Sequence, residues 1–251
     1  MAARYLRTSD IARAVGVHPN TVRLYEEWGF LPPVSRSASG YRQFTEAHLD
    51  QMRLARTALC WPYPGGKAPV VDLVQRAAAG DLGGALELAY TYLARIRAEY
   101  AQAEAAVAFL ERWARGNVTD VAAAPLTIGE AARRLGVTPD MLRNWERNGL
   151  LTVPRDAHSG YRRYGAAEMG RVRVIRMLRQ AGYSVMAILR MLLRFDQGQT
   201  QNLRQMLDTP RPDEDVYSVA DRWLSTLAAQ EQRALDVIAQ LGAMIDKGRR
   251  A

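Results

Sequence analysis

The sequence repeats itself. Residues 6–53 align with residues 126–173 at a constant offset of 120 without a gap, and 16 of the 48 positions are identical. The matches include Gly16, Pro19, Arg23, Glu26, Gly29, Gly40, Tyr41 and Arg42, an order of Gly, Pro and Arg that composition alone does not align. Two copies are too few for a solenoid. A duplicated domain is therefore expected, and 251 residues leave room for one large or two small domains.

Each copy carries the pattern of a helix-turn-helix. Thr8-Ser9-Asp10 can cap a short helix running through Ile11, Ala12 and Val15. Gly16 ends it, supplying the left-handed turn conformation that other residues resist. Val17 is the buried turn residue. His18-Pro19 opens a second helix, with Pro where a missing N–H costs nothing. That helix carries Val22, Tyr25 and Glu26 and stops at Gly29. The second copy gives Thr127, Ala131-Ala132, Leu135, Gly136-Val137, Thr138-Pro139, Arg143, Trp145-Glu146 and Gly149. Two short helices around a tight Gly turn define the motif. A hairpin follows each: Arg36, a Ser-Ala-Ser-Gly turn and Tyr41 to Phe44 in one copy, Leu151 to Tyr164 with its turn at His158-Ser159-Gly160 in the other. Helix-turn-helix plus a two-stranded wing makes a winged helix.

A long amphipathic stretch follows each head. Leu86, Leu93, Tyr100, Val107 and Ala114 are spaced by seven, with Ala89, Ile96, Ala103 and Leu110 as the companion series. The second stretch has Tyr217, Leu224, Glu231, Ile238 and Ile245 with Ala220, Leu227, Ala234 and Leu241. These are a/d heptads, and the polar break at Glu231 could fix register. The other reading is that each helix packs only on its own head. At about 1.5 Å per residue, such a stripe overreaches a small head.

The charge distribution suits a polyanion partner. Net charge is +8, and with only Lys67 and Lys247 as lysines, 32 of the 34 basic residues are arginine. A GC-rich genome would itself yield that arginine content, yet the charge is uneven: +3 over 1–60, −1 over 61–124, +8 over 125–195 and −2 over 196–251. No apolar run approaches the 18 or so residues of a membrane span, and no apolar h-region follows Met1, so a soluble, cytoplasmic protein with no membrane partner is expected. One cysteine, Cys60, cannot form an internal disulfide or a Cys-rich zinc site, and is expected as a buried small hydrophobe. With three histidines, no Gly-rich phosphate loop and no nucleophile elbow, neither an enzyme nor a cofactor is expected.

At these residues the chain resembles the MerR family of bacterial transcription regulators. The second copy carries Ile128-Gly129-Glu130, Gly136-Val137-Thr138, Leu142-Arg143-Asn144-Trp145-Glu146, Gly149-Leu150-Leu151, Gly160-Tyr161-Arg162-Arg163-Tyr164 and Gly182-Tyr183-Ser184-Val185. The first carries Gly16-Val17-His18, Thr21-Val22-Arg23-Leu24-Tyr25-Glu26, Gly29-Phe30-Leu31 and Gly40-Tyr41-Arg42-Gln43-Phe44. The copies depart from the family pattern at Leu24 in the first and Asn144 in the second, where an aromatic is usual, and at Asp156 in the second, where the wing arginine is usual and Arg155 stands one residue earlier. In place of Gly182-Tyr183-Ser184-Val185 the first copy has Trp61-Pro62-Tyr63-Pro64-Gly65-Gly66, which cannot be helical.

The resemblance implies an architecture. Family members are usually homodimers joined by an antiparallel coiled coil of one long helix per subunit. Here one chain would supply both. The expected fold is mainly α: two winged helix-turn-helix heads plus two long helices forming an antiparallel coiled coil, an intramolecular pseudo-dimer. The expected divisions are a first head at 1–82, a coil helix at 83–116, a linker at 117–124, a second head at 125–208, and a loop and second coil helix at 209–251. A four-headed homodimer is the alternative. A partner helix in the same chain has the advantage of high effective concentration.

The resemblance also implies double-stranded promoter DNA and bacterial RNA polymerase as partners, with activation by distorting an over-long promoter spacer. The second helix of each head would enter a major groove. Its candidate contacts are His18, Asn20, Thr21, Arg23 and Tyr25 in one head, and Thr138, Asp140, Arg143 and Asn144, with Met141 beside them, in the other. Arg23 and Arg143 suit guanine or phosphate, Asn20 adenine, and Asp140 cytosine. Against this, Asp140 could simply complement its helix N-terminus, and Arg23 and Arg143 could be salt-bridged to Glu26 and Glu146. Wing candidates for phosphate are Arg36, Tyr41 and Arg42, and Arg155, His158, Tyr161, Arg162 and Arg163, with His158 otherwise a plain turn residue. Because the two reading helices differ at nearly every exposed position, an asymmetric operator is expected. A DNA-bending protein without polymerase activation, a repressor and an interaction scaffold are the competing readings.

Metal sensors of the family use paired thiolates, which Cys60 alone does not supply. A small-molecule effector between head and coil is the remaining expectation, lined by Trp61, Tyr63, Tyr90, Trp113, Tyr217 and Trp223, with Tyr92 adjacent. Ordinary aromatic packing is the plainer account of the same residues.

Overall fold

A computed structural model describes residues 5–60, 62–117, 124–209 and 219–250. The chain is mainly helical and divides into two units, Met1–Ala98 with Leu227–Ala251, and Glu99–Thr226. Among the described residues, no helix is long and apolar enough to cross a membrane.

The first unit opens with helices α1 (Thr8–Val15) and α2 (Pro19–Glu27), the helix-turn-helix. Gly16 at φ 66° turns the chain between them, which a side chain would resist. The N-terminal cap differs from the expected one. Thr8 is already helical, Arg7 is the capping position, and the Asp10 carboxylate reaches back to accept the Arg7 N–H at 2.8 Å. Asp10 thereby satisfies an orphan donor and places negative charge in the first turn, where the helix dipole favours it. For α2, the His18 ring nitrogen accepts the Asn20 N–H at 3.2 Å, and Pro19 occupies the first turn as expected.

Strands β1 (Ser35–Arg36) and β2 (Arg42–Gln43) form the antiparallel wing, with Arg36 opposite Arg42. Leu6 pairs with Phe44, so the segment before α1 is stitched to the end of the wing. Helices α3 (Glu46–Ala58) and α4 (Ala68–Ala78) complete the head. Ile11, Val22, Phe44, Met52, Leu54 and Val74 are fully buried at its centre. Each such side chain stabilises the fold by roughly 1.5–3 kcal/mol.

The long helix α5 (Leu82–Ala114) begins in the first unit and ends in the second. Of its heptad positions, Ala89, Leu93, Ile96, Ala103, Val107 and Leu110 are buried, while Leu86, Tyr100 and Ala114 are half-buried. The last helix, α11 (Trp223–Arg250), lies in the first unit from Leu227 onward. It begins later than the expected helix and is preceded by a 3-10 turn at Val219–Arg222; Tyr217 lies outside the described residues. Within the first unit the two helices run antiparallel. Arg97 donates to Glu231 at 2.7 Å, while Ala85 and Ala89 share one core with Val237 and Leu241. Glu231 thus breaks the apolar series with an ion pair between the two rods. Further contacts tie α11 to α3 and to the segment after it: Lys247 to Asp50 at 2.6 Å, Gln240 to Thr57 at 3.0 Å, and Arg233 to the Cys60 carbonyl at 3.0 Å. Cys60 itself is exposed, not buried as expected, because it follows the end of α3.

The second unit repeats the head as α6 (Ile128–Leu135), α7 (Pro139–Arg147), a wing with a bridge between Arg155 and Arg162, α8 (Ala166–Gln180) and α9 (Val185–Asp196). Thr127 and Glu130 cap α6 reciprocally, which holds the Glu130 carboxyl below the usual range. Helix α10 (Leu203–Asp208) follows. Arg190, almost fully buried on α9, donates to the carbonyls of Met206, Leu207 and Asp221, a sink for main-chain groups that would otherwise be buried unpaired. The end of α5 seats here: Trp113 stacks on Phe195 at 4.6 Å and lies so close to Gly170 that an added Cβ would meet its indole at 2.6 Å. The expected linker lies largely outside the described residues at 118–123.

Candidate nucleic-acid interface

In each head one ion pair fixes the wing to the second helix. Arg42 donates to Glu26 at 2.5 Å, and Arg162 donates to Glu146 at 2.6 Å. Both pairs are largely shielded from solvent, so the attraction is screened less than on an open surface. The alternative to DNA contact by Arg23 and Arg143 paired them with these glutamates. Instead Arg23 is exposed and has no ion pair among the described residues, while Arg143 pairs with Asp140 one turn before it at 2.5 Å.

The exposed face of α2 presents His18, Asn20 and Arg23, with Thr21 half-buried; that of α7 presents Thr138, Asp140, Met141, Arg143 and Asn144. Asn144 is engaged by Asn148, whose side-chain amide donates to its side-chain oxygen at 2.8 Å. Tyr25 does not belong to this face. It is 8 % exposed, and its ring packs edge-on against Phe30 at 5.5 Å, because it sits on the core stripe with Val22. Trp145 takes the same core position in the second head.

The wings present Tyr41 at 76 % and Tyr161 at 73 % exposure, among the most open large side chains described. Rings this exposed are held by the turn and not by burial, which leaves them free to meet a partner. Arg36 donates to the Gly40 carbonyl at 3.4 Å, and Arg155 to the Gly160 carbonyl at 3.3 Å. Arg155 therefore stands where Arg36 stands, although the sequence offset there is 119 and not 120. Its turn is one residue longer, and Asp156 fills it by accepting from the His158 and Ser159 N–H groups and from Arg163. Those donors hold the Asp156 carboxyl far below the usual carboxylate range. His158 is exposed at the tip.

In the first head, the N-terminus of α1, Pro19, Arg23, Tyr41, Arg42 and Gln43 line one open groove. In the second, Gly136, Met141, Asn144, Arg176 and Arg179 line another. Sequence reasoning missed Arg176 and Arg179. Their signal was the run of arginines along 171–179, spaced so that several share one side of α8.

Of the six residues expected to line an aromatic effector site, the four described ones are divided between the two units. Trp61 and Tyr217 lie outside the described residues. Trp113 is committed to Phe195, and Trp223 donates to the Ala181 carbonyl at 2.7 Å, both in the second unit. Tyr90 points out at 55 % exposure, and Tyr63 donates to the Leu59 carbonyl at 2.7 Å. Trp113, Trp223 and Tyr63 thus each have a local partner. Partial burial also raises the Tyr63 hydroxyl above its ordinary pKa. Among the described residues, no cluster of His, Cys, Asp and Glu could hold a metal ion.

Two winged helix-turn-helix heads of one build, each with its arginine-rich wing, define a tandem winged-helix protein. The family model for the MerR HTH family regulatory protein matches residues 6–59 and 126–194, and the chain belongs to that family. It is 40% identical over 53 residues to the transcriptional regulator CueR of Escherichia coli O6:H1, covering 21% of this chain and 39% of that protein. It is 40% identical over 73 residues to the mercuric resistance operon regulatory protein of Serratia marcescens, covering 29% and 50%. The chain thus spans about two fifths to one half of the length of these relatives, both of which are regulators and not enzymes. A crystal structure of HiNmlR, a MerR family regulator lacking the sensor domain, bound to promoter DNA, is 22% identical over 50% of this chain and 94% of that one, with a TM-score of 0.32.

Proposed function

We propose that the protein is a sequence-specific DNA-binding transcription regulator of MerR type, in which the two heads of one chain engage one promoter operator. The observation that carries this reading is the pair of shielded ion pairs, Arg42–Glu26 and Arg162–Glu146, which brace each wing against an exposed helix of suitable size for a major groove. Arg23, Arg36 and Tyr41, with Arg155, Tyr161 and Arg163, would contact phosphate and set register; Asn20, Arg143 and Asp140 would read bases.

The antiparallel pairing of α5 with α11 inside the first unit supports a pseudo-dimer, in which one polypeptide supplies what two subunits supply elsewhere. The two reading helices differ at positions 20 and 140, 21 and 141, and 24 and 144, so the operator would be asymmetric. Activation would work through distortion of an over-long spacer, with contacts on both half-sites offsetting the deformation energy. Such a protein acts in the cytoplasm with bacterial RNA polymerase.

Selection from random duplexes tests this directly. The expected product is a site with unlike halves bound by one polypeptide. Recovery of a perfect inverted repeat, or two polypeptides per site, would overturn the pseudo-dimer. Run-off transcription on a long-spacer promoter then separates an activator from a DNA-bending protein or a repressor.

A further inference from the structure

The first unit contains a cleft where the head meets the two long helices, and its chemistry is unlike that of a packed core. Helices α3 and α4 contribute Ala58, Val70 and Leu73; α5 contributes Ala89 and Tyr92; and α11 contributes Ala234 and Val237. Three alanines on three different helices leave a small cavity of about 20 Å³, room for about one water while the helices stand as they are. The inner part is narrow.

Two polar groups on α11 face this largely apolar lining. Gln230 is 2 % exposed, yet its side-chain nitrogen is buried with no hydrogen-bond partner. A buried amide N–H without an acceptor is costly, and folds retain such groups where something else satisfies them. One turn on, Arg233 lines the same cleft. One arm of its guanidinium is spent on the Cys60 carbonyl at 3.0 Å, and it has no ion pair among the described residues. The cleft thus offers an amide donor and a cation beside an apolar wall.

We infer that this cleft is a binding site for a small carboxylic acid with a compact apolar body, its carboxylate held by Gln230 and Arg233. The carboxylate accepts from both donors, and charge-assisted bonds of this kind are the strong ones. The body lies against Ala58, Val70, Ala89 and Ala234. A neutral apolar molecule would leave the amide unsatisfied, and a bare anion would gain nothing from the wall. Because the inner cleft is narrow, a ligand enters only as α3 and α4 shift against α5 and α11. Occupancy then biases the orientation of the first head, the differential interaction that allosteric control needs. That last step rests on the DNA-binding reading above; the binding step does not.

The experiment is titration calorimetry on the full-length chain without DNA, using benzoate and isovalerate, with benzyl alcohol and acetate as controls. Benzoate or isovalerate should bind, and the controls at least tenfold more weakly. Arg233→Gln and Ala234→Leu should each weaken benzoate tenfold or more while keeping a cooperative thermal transition. Gln230→Leu should abolish benzoate binding yet raise the melting temperature of the free chain, since it removes an unsatisfied donor. Absence of heat with both acids overturns the proposal. So does binding that Arg233→Gln and Ala234→Leu leave unchanged, or a Gln230→Leu chain that is less stable, which would mean a buried water already satisfies the amide. Benzoate binding with no effect on promoter affinity would keep the site and refute only its link to DNA.

Discussion

Arg42 and Glu26 are joined at 2.5 Å between the wing and the second helix of the first head, and Arg162 and Glu146 repeat the bond 120 residues later at 2.6 Å. The arginines therefore act first as braces. Each holds the wing at a set angle to the helix of its own head, so that Tyr41 in one head and Tyr161 in the other are each presented beside their own second helix.

Breaking a brace should cost affinity more than stability. Glu26→Gln leaves Arg42 without its counter-charge in a half-buried place. We expect a loss of roughly 1 kcal/mol or less in stability and a larger loss in operator binding, because both elements must be placed at once. Glu146→Gln should do the same at the other half-site. Chemical denaturation and DNA anisotropy on the same samples check the split. Equal losses in both would show that the pair only supports the fold.

Arg23 and Arg143 should respond differently to salt. Arg23 is uncommitted, so Arg23→Ala should lower the slope of log affinity against log salt by about one. Arg143 is held by Asp140, which is itself almost fully open to solvent. Asp140→Asn should release the arginine and remove a negative charge from the face, strengthening non-specific binding at low salt. If Asp140 reads cytosine, the same change instead relaxes base preference at one position.

The second wing should weaken in acid. The Asp156 carboxyl titrates well below its ordinary 3.8 because Ser159, Arg163 and His158 donate to it in the folded wing. A depressed folded pKa stabilises fully above the unfolded value and is lost as pH falls through the folded one. The Ser159 amide signal should therefore persist down to about pH 4 and move only in stronger acid. Asp156→Asn should loosen the turn at neutral pH. The first wing, where Ser37 occupies the turn, should show no such step.

Gly170 is a packing requirement. Gly170→Ala would place a methyl 2.6 Å from the Trp113 indole nitrogen, inside van der Waals contact. A destabilisation of about 1–3 kcal/mol is expected, read as a lowered midpoint in urea. Trp113→Phe should partly relieve it in the double variant, because the smaller ring has room to move.

Most of the architecture was legible because duplication states each instruction twice. Gly16 with Gly136 and Pro19 with Pro139 mark the same turn, and the alanine and leucine heptads mark the rods. What stayed hidden involved side chains meeting across elements. Gln51 and Arg171 are unlike residues at the same offset, yet both donate to the carbonyl after the second helix, Phe30 and Leu150 respectively. A search for identities passes over that equivalence. The gapless alignment puts Asp156 opposite Arg36, but Arg155, the candidate one residue earlier, fills that role, and Asp156 absorbs the difference in the turn. Tyr25 was misplaced because its spacing fits both a contact face and a core stripe, and only packing against Phe30 decides. The salt-bridge partners of Glu26 and Glu146 were undecidable from spacing: an arginine three residues earlier on the helix and one on the wing were both within reach.

The separate spelling of α2 and α7 has a hereditary consequence. In a protein assembled from identical copies, any codon change in the reading helix alters both halves of the site together, and one half usually suffers. If both heads hold one operator, as proposed, Asn20 and Asp140, or Thr21 and Met141, would drift one at a time while the other head keeps its grip. A lineage carrying this chain would then move to a new promoter through intermediates that still hold on.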